Sequence, residues 1–195
     1  MWGEPASGLD GRHGLAVVTA ADRPGHWYDN RSLLERAATV LRVATVHVRS
    51  PRLLAWRGPR GWVEAPVSAA HEAGRVGLAI GAVPRLGFDL CDPARVASVR
   101  SALPLVLTTA ERTLPGAQAM SALGVVRVWA AIEALAKCCG VGVVHRDQRV
   151  PLTSLGPLRA DGARLWVGRL DGLVACAALA GPAQGMEEED WWRCA

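Results

Sequence analysis

The chain has 195 residues, which suits one ordinary domain or two small halves packed as one, and 50% of them are hydrophobic, enough for a buried core. Its net charge of +4 suits an anionic ligand or an acidic protein partner and is too weak to indicate nucleic acid. Five cysteines without a CxxC pair argue against a disulfide framework and a structural zinc site, and the short, interrupted apolar runs predict no membrane span. We therefore expect a cytoplasmic protein.

The first part of the chain predicts a strand, a helix and a second strand. Residues 14–21 are apolar with β-branched residues at their centre, which is typical of a short strand. Apolar positions at helical spacing predict an amphipathic helix over residues 31–46, with Asn30 as a candidate cap. The arginine- and proline-punctuated residues 49–66 include WRGPRGWVEAP, for which we expect a turn. Residues 74–83 then predict an apolar strand.

The middle of the chain predicts a strand followed by helical starts. Residues 84–92 predict the strand. Residues 92–103 predict a helix that begins with Asp92 as its cap and Pro93 in its first turn. The segment TTAERTLPG, residues 108–116, begins with a pattern typical of a capping box.

A long helix and a hairpin complete the predicted elements. Residues 121–140 predict a helix with an apolar stripe, and Gly140 is its expected stop. Residues 164–181 predict a β-hairpin of two apolar strands, because Asp171-Gly172 supplies a tight turn between them.

This order of elements predicts an α+β architecture with two comparable halves, residues 1–85 and residues 86–183. No clear sequence repeat relates the halves, so the division depends only on the order of the predicted strands and helices. Residues 1–13 are expected to be a loose terminus. Residues 184–195 are acidic and then aromatic, which is typical of a mobile end or of a segment that binds a partner.

Lys137 is the only lysine among the 22 Lys and Arg residues of the chain. A chain that otherwise uses arginine indicates that this position needs a compact, flexible ammonium group and not a planar guanidinium. Glu133 precedes Lys137 by four residues, so the two side chains lie on one face of the predicted helix. The same spacing is also that of an ordinary solvent-exposed ion pair, worth about 0.3 kcal/mol.

Three segments share their order and spacing with a known family. They are SAAHEAGRVGLAIG, LGFDLCD and WAAIEALAKCCG, and the residues at the family's motif positions are His71, Gly87, Asp89, Trp129, Glu133, Ala134, Lys137 and Gly140. In this order they resemble the 4′-phosphopantetheinyl transferase superfamily. Its pattern is a Ser-His segment before a strand, then Gly-x-Asp-x-Glu, then Trp-x-x-Lys-Glu-Ala-x-x-Lys-x-x-Gly. The resemblance covers roughly residues 31–180, and the third motif is its most specific part.

The resemblance implies two similar α/β halves related by a pseudo-twofold axis, and a transferase activity. Such enzymes move the 4′-phosphopantetheine arm of coenzyme A to a serine of an acyl or peptidyl carrier protein, commonly in secondary metabolite biosynthesis. The resemblance also implies a Mg²⁺ ion held by Asp89 and Glu133, since Mg²⁺ prefers carboxylate and phosphate oxygens. Glu133 would further act as a base toward the serine hydroxyl, and Lys137 would hold the phosphate or the departing oxygen.

The same resemblance implies that His71 and Arg75 bind phosphates of coenzyme A. The carrier proteins of this family are commonly acidic, which agrees with the net charge of +4 through electrostatic steering. The length is similar to that of the two-half members of the family, so we expect a monomer. Neither a nucleic acid nor a membrane is expected as a partner.

The chain departs from the family pattern at three places. Cys91 stands where the family has its second carboxylate, and a thiol is a poor ligand for Mg²⁺. An early end of the strand before Pro93 would let the neighbouring Asp92 act instead. Ile132 stands where the family has a lysine, and the residues directly before His71 are alanines where the family has a serine.

These departures leave three functions open. The first is a transferase that works with a weakened metal site. The second is a repurposed enzyme in which Cys91 is a nucleophile and His71 is its base. The third is a non-catalytic protein that binds coenzyme A or a carrier protein. Cys91 as a small packing residue and His71 as an ordinary surface histidine are the simpler interpretations of these two residues.

Overall fold

The computed structural model describes residues 15–22, 25–81 and 83–181. The expected loose terminus, residues 1–13, and the acidic and aromatic tail, residues 184–195, lie outside these ranges. Within the described ranges, no helix is long and apolar enough to cross a membrane.

The first five strands form one antiparallel sheet, with a helix inserted after the first strand. In chain order its elements are β1 (Leu15–Ala21), α1 (Arg31–Leu41), β2 (Val46–Ser50), β3 (Leu53–Gly58), β4 (Gly61–Glu72) and β5 (Arg75–Gly81). The strands lie in the order β1-β5-β4-β3-β2, so the first strand of this half pairs with its last strand.

The remaining five strands form a second antiparallel sheet, with three helices inserted after its first strand. Its elements are β6 (Arg85–Cys91), α2 (Val96–Val106), α3 (Thr109–Arg112), α4 (Ala122–Cys139), β7 (Leu152–Leu155), β8 (Leu158–Ala160), β9 (Ala163–Leu170) and β10 (Leu173–Ala180). The order β6-β10-β9-β8-β7 follows the chain in the same way as the order of the first sheet. The predicted α+β class is therefore confirmed.

Several predicted element ends are confirmed in detail. The Asp92 side chain accepts a hydrogen bond from Ala94 N–H and caps a 3-10 turn, Pro93–Arg95, that leads into α2. Helix α4 ends at Gly140, whose φ of 72° lies in the left-handed region. The β9–β10 hairpin turns at Asp171-Gly172, where both φ angles are positive as a type I′ turn requires.

The predicted extension of the first helix to residue 46 is wrong. The helix ends at Leu41, because Arg42 adopts a left-handed conformation with a φ of 55°. The N–H of Arg42 donates to the carbonyls of Ala38 and Thr39, which closes the last turn. The chain then enters β2 at Val46.

The turn expected in WRGPRGWVEAP is present but short, because most of residues 49–66 lies in β3 and β4. Leu54 and Ala65 face each other across these strands and are buried, whereas the opposite face carries the exposed pair Arg57 and Trp62. Cross-strand pairs of this kind stabilise a hairpin, so the Gly and Pro residues confine the turn to the link between the two strands.

Three apolar clusters hold the layers together. One lies between α1 and the first sheet and contains Leu33 and Leu78, and another lies between α2, α4 and the second sheet and contains Leu135. In the third, the remaining faces of the two sheets pack on each other. There Phe88 is fully buried over Gly77, where an added Cβ would lie 2.7 Å from the ring. We call the contact of β4 and β5 with β6 the seam.

Polar contacts also join the two sheets. Ser68 Oγ accepts a hydrogen bond of 2.9 Å from Phe88 N–H, which satisfies a donor on the free edge of β6. Thr19 and Arg75 both donate to the carboxylate of Asp171 in the β9–β10 turn.

A fully buried ion pair ties α3 to the segment before β7. Arg149 donates to Glu111 at 2.6 Å, and both side chains are 0% exposed. Glu111 also accepts from the backbone N–H groups of Thr108 and Leu152, and with Thr108 it forms the predicted capping box. Burial pushes the pKa of this carboxyl upward, but the hydrogen bonds from Arg149 and from the backbone outweigh burial and hold the pKa below its ordinary value.

Glu111→Gln is expected to destabilise the fold by about 3 kcal/mol, because it leaves the charge of Arg149 buried without its partner. The stabilisation from this carboxylate is fully present above the ordinary glutamate pKa of about 4.3 and is lost as the pH falls through the lower pKa of the folded state. The difference in free energy of unfolding between wild type and variant should therefore shrink with acidification. Urea unfolding at a series of pH values measures it, and a difference independent of pH would contradict this account.

Candidate functional site

The site is built on a direct contact between β6 and α4. A Cβ added at Gly87 on β6 would lie 1.9 Å from Ala134 O and 2.4 Å from Cys138 N. Helix backbone therefore rests on strand backbone at this point, and only glycine leaves room for it. Asp89 lies two residues further along the same face of β6, so the contact brings it beside Lys137 of α4.

Asp89 is a buried carboxylate, with 8% of the residue exposed. Burial raises its pKa to about 6, although the charge and hydrogen bond of Lys137 act against that rise. The negative charges of Glu133 and Glu72 raise the pKa further, so both carboxylates lie within electrostatic reach of Asp89. Asp89 is therefore ionised at neutral pH but becomes neutral at a higher pH than an exposed aspartate does.

Lys137 connects three chain segments through its ammonium group. Its Nζ donates to Asp89 Oδ1 at 2.8 Å and to Phe88 O at 2.9 Å, and it lies 3.5 Å from Ala69 O. An ammonium group can direct its three N–H donors to three oxygens around one atom, whereas the donors of a guanidinium lie in one plane. This geometry accounts for the single lysine of an arginine-rich chain, and it joins α4 to both sheets.

Glu133 is half-buried on α4, one turn before Lys137. In the described part of the chain, its carboxylate receives no hydrogen bond from another residue. Burial raises its pKa, and the positive charges of Lys137 and Arg95 act against the rise. Glu133 thus offers open carboxylate oxygens, as a proton acceptor or a metal ligand requires.

An ion pair across the seam adjoins these residues, and the sequence analysis missed it. Arg95 Nη1 donates to Glu72 Oε2 at 2.6 Å, which links the turn after β6 to the end of β4. Glu72 raises the pKa of Asp89, and Arg95 lowers the pKa of Glu133. The only sequence signal was that each residue adjoins a motif, because their pairing depends on how the two sheets pack.

The structure does not bring His71 and Arg75 into this cluster. His71 Nδ1 lies 3.1 Å from Asp22 Oδ2, and its strand partner Val76 belongs to the core beneath α1. His71 therefore lies on the face of the first sheet that points away from the seam. Arg75 donates to Asp171, and its buried Nε has no partner within the described ranges. The roles of His71 and Arg75 in binding coenzyme A stay predictions.

Cys91 and Asp92, the two residues of the altered motif, both have structural roles. Cys91 is 0% exposed and packs in the cluster beneath α4. Burial, followed by the charges of Asp89 and Glu72, raises the pKa of its thiol to about 12, so it is protonated at pH 7. No hydrogen bond connects it to His71 among the described residues, and the Asp92 carboxylate caps the turn that follows β6.

The residues of this cluster that could hold a divalent cation are Asp89 and Glu133. Across residues 15–22, 25–81 and 83–181, no group of three or more His, Cys, Asp or Glu side chains is placed to hold a metal ion. Two carboxylates nevertheless fit Mg²⁺, because this ion keeps several waters and also takes phosphate oxygens. Asp89 Oδ1 accepts a hydrogen bond from Lys137, so the oxygens open to a cation are the second carboxylate oxygen of Asp89 and the carboxylate of Glu133.

No protein-family model matches this chain, and no curated protein matches it. The resemblance to the transferase superfamily therefore depends on the motif residues and not on an overall sequence match. The structure adds that two of the three motif segments meet where β6 contacts α4.

Gly87→Ala is expected to destabilise the fold by about 1–3 kcal/mol and to separate Asp89 from Lys137, because the new methyl group would collide with the backbone of α4. Urea unfolding measures the loss. Gly156→Ala is the matched control, since nothing lies within 4 Å of a Cβ built there. Equal effects of the two substitutions would show that the backbone contact is not what Gly87 provides.

Iodoacetamide is expected to leave Cys91 unmodified in the folded protein near neutral pH, because its thiol is buried and protonated. The partly exposed Cys139 is the internal reference and should react before Cys91. Mass spectrometry of the digested protein before and after unfolding in urea assigns the label to each cysteine. Rapid labelling of Cys91 in the folded state would support a nucleophile at this position.

Proposed function

We propose that this protein transfers the 4′-phosphopantetheine arm of coenzyme A to a serine hydroxyl of an acyl or peptidyl carrier protein. The observation that carries this proposal is the meeting of Asp89, Glu133 and Lys137 where α4 packs on β6, beside the seam. They are the charged residues of the two matching motifs, and they come from segments far apart in the chain. A carboxylate pair beside an ammonium group is the chemistry that a reacting phosphate needs.

The strand orders of the two sheets support the fold that this function implies. Each sheet places its last strand beside its first and inserts its helices after the first strand. We propose that a pseudo-twofold axis relates the halves, that they meet at the link between β5 and β6, and that coenzyme A binds in the cleft between them.

The reaction requires a proton acceptor and a cation beside the phosphate. The serine oxygen attacks the phosphorus that carries the pantetheine, the bond from that phosphorus to the bridging oxygen breaks, and adenosine 3′,5′-bisphosphate leaves. Glu133 accepts the serine proton, since its oxygens are open and its pKa is raised by burial. Lys137 would exchange its longest contact, the 3.5 Å contact with Ala69 O, for the departing phosphate oxygen and so stabilise the charge that develops there.

Asp89 and Glu133 would hold Mg²⁺ at this site. When bound, Mg²⁺ neutralises charge on the pyrophosphate. Asp89 must be ionised for this role, so its raised pKa of about 6 in the metal-free protein makes cation binding weaker as the pH falls below neutral. Cys91 is neutral, so the site has one carboxylate fewer than the family pattern.

The proposal also covers the remaining ligand contacts, the partner, the compartment and the oligomeric state. His71 and Arg75 would contact coenzyme A phosphates after exchanging their present carboxylate partners, Asp22 and Asp171. The net charge of +4 supports an acidic carrier protein. Free thiols among the described residues suit a reducing compartment, which supports the cytoplasm, and a seam formed within one chain supports a monomer.

A second candidate function is binding of coenzyme A or a carrier protein without transfer. It is favoured by the engagement of Lys137 with three oxygens, which gives this residue a structural role that needs no reaction. It is also favoured by Ile132, which is fully buried where the family has a lysine. The buried, protonated thiol of Cys91 gives no comparable support to a repurposed nucleophile.

The test is intact-protein mass spectrometry of several apo carrier proteins incubated with this protein, coenzyme A and Mg²⁺. Wild type is expected to add the mass of one phosphopantetheine arm to a carrier. Glu133→Gln is expected to slow the transfer ~100-fold or more while leaving the melting temperature unchanged, because it removes the proton acceptor. The exposed Glu35→Gln on α1 is the matched control and should transfer at the wild-type rate.

The outcomes separate the candidate functions. Unchanged turnover in Glu133→Gln would overturn the role assigned to this residue. If wild type modifies none of the carriers but calorimetry shows that it binds coenzyme A, binding without transfer replaces the transferase proposal.

A further inference from the structure

Arg95 lies at the mouth of the carboxylate cluster. It ends the turn Pro93–Arg95, which directly follows β6 and packs against α4. Its side chain is 47% exposed, whereas that of its partner Glu72 is 11% exposed. The ion pair therefore has a buried carboxylate end and an open guanidinium end.

The guanidinium of Arg95 has unused donors. Glu72 accepts from Nη1, and within the described ranges no other side-chain hydrogen bond of Arg95 is formed. A guanidinium carries five N–H donors in a planar fork, so the edge formed by Nη2 and Nε stays open. This edge fits two oxygens of a phosphate group.

The family pattern has a lysine directly before its helical glutamate, and α4 does not supply that cation here. Ile132 occupies that position and is 0% exposed within the core beneath α4. Lys137 is already shared among three oxygens. Arg95 acts on the same site, because its charge lowers the pKa of Glu133.

We propose that Arg95 binds the pyrophosphate of coenzyme A and so supplies, from the turn after β6, a second cation beside Lys137. Glu72 is the positioning residue that holds the guanidinium fork by Nη1 and leaves its other edge open. This inference rests on the proposed function and deepens it. It makes donor binding depend on both sheets, since Glu72 belongs to β4 and Arg95 follows β6.

Isothermal titration calorimetry with coenzyme A and with 3′-dephospho-coenzyme A, both in the presence of Mg²⁺, tests the proposal. The two ligands share the pyrophosphate and differ only in the 3′-phosphate. Arg95→Gln is expected to weaken the binding of both ligands by the same factor, ~10–100-fold, which is typical of a lost charge-assisted hydrogen-bonded pair. Arg159→Gln, at an exposed arginine on β8, is the matched control and should bind both ligands as wild type does.

The double variant tests the role of Glu72. Glu72→Gln is expected to weaken binding ~3–10-fold in the wild-type background and to have no further effect once Arg95 is Gln, because it acts through the orientation of Arg95. Additive losses would mean a merely structural role for Glu72. If Arg95→Gln fails to fold, as circular dichroism would reveal, Arg95→Lys takes its place, since it keeps the charge but loses the planar fork.

Failure of this inference is distinguishable from failure of the proposed function. If Arg95→Gln binds both ligands as tightly as wild type while wild type transfers the arm to a carrier, the inference is overturned and the transferase proposal stands. A loss seen with coenzyme A but not with its 3′-dephospho form would place Arg95 on the 3′-phosphate and overturn the pyrophosphate assignment. If wild type binds neither ligand, both the proposed function and the inference are overturned.

Discussion

The contact of α4 with β6 at Gly87 is the constraint on which the site depends. Because helix backbone touches strand backbone there, α4 lies closer to the second sheet than side chains would otherwise allow. This closeness lets Lys137 of α4 reach across β6, the edge strand of the second sheet, to the carbonyl of Ala69 on β4 of the first sheet. The glycine of the Gly-x-Asp motif is therefore a packing residue, and the charged chemistry follows from the approach that it permits.

The second consequence concerns β6, which lies at the edge of its sheet and would otherwise leave backbone groups unpaired. Ser68 accepts from the N–H of Phe88, and Lys137 donates to the carbonyl of the same residue, so side chains from both neighbours satisfy this edge. The ammonium group of Lys137, to which the proposed function assigns the phosphate, thus also joins the two sheets. A substitution at Lys137 would affect stability and chemistry at once, which is why Glu133 separates the two more cleanly.

The sequence predicts the parts of the fold that depend on local pattern. The strands around residues 14–21, 74–83 and 84–92, the long helix and its glycine stop, and the Asp-Gly hairpin are confirmed, since each depends on neighbours in the chain. The Gly and Pro residues of WRGPRGWVEAP indicated the turn, but the two strands that it joins went unpredicted, although the alternation on both sides of it marks them. The small strands β2, β7 and β8 went unpredicted, since they are short edge or near-edge strands with weak patterns.

The candidate site was predictable where one motif held both partners and unpredictable where packing joined distant segments. The face shared by Glu133 and Lys137 follows from helical spacing, and the resemblance predicted Asp89 near Glu133. The hydrogen bond from Lys137 to Asp89 was not predicted. The pair of Glu72 with Arg95 and the pair of Arg75 with Asp171 each cross between the sheets, so no local pattern indicates them. His71 shows the converse, because its neighbours in sequence belong to the seam while strand alternation turns its side chain to the other face.

Cys91 shows how burial and nearby charges limit which side chain the motif can carry at this position. Its position shares a face with Asp89, is fully buried, and feels the charges of Asp89 and Glu72. A carboxylate there would be a fourth acidic group beside Glu72, Asp89 and Glu133, against the two cations Lys137 and Arg95. Without a bound cation, desolvation of such a carboxylate and its repulsion by the neighbouring carboxylates would both destabilise the fold. A neutral thiol removes this penalty and stabilises the protein in the absence of metal. Under the proposed function, Mg²⁺ would then be held by two carboxylates and the phosphates of a bound ligand.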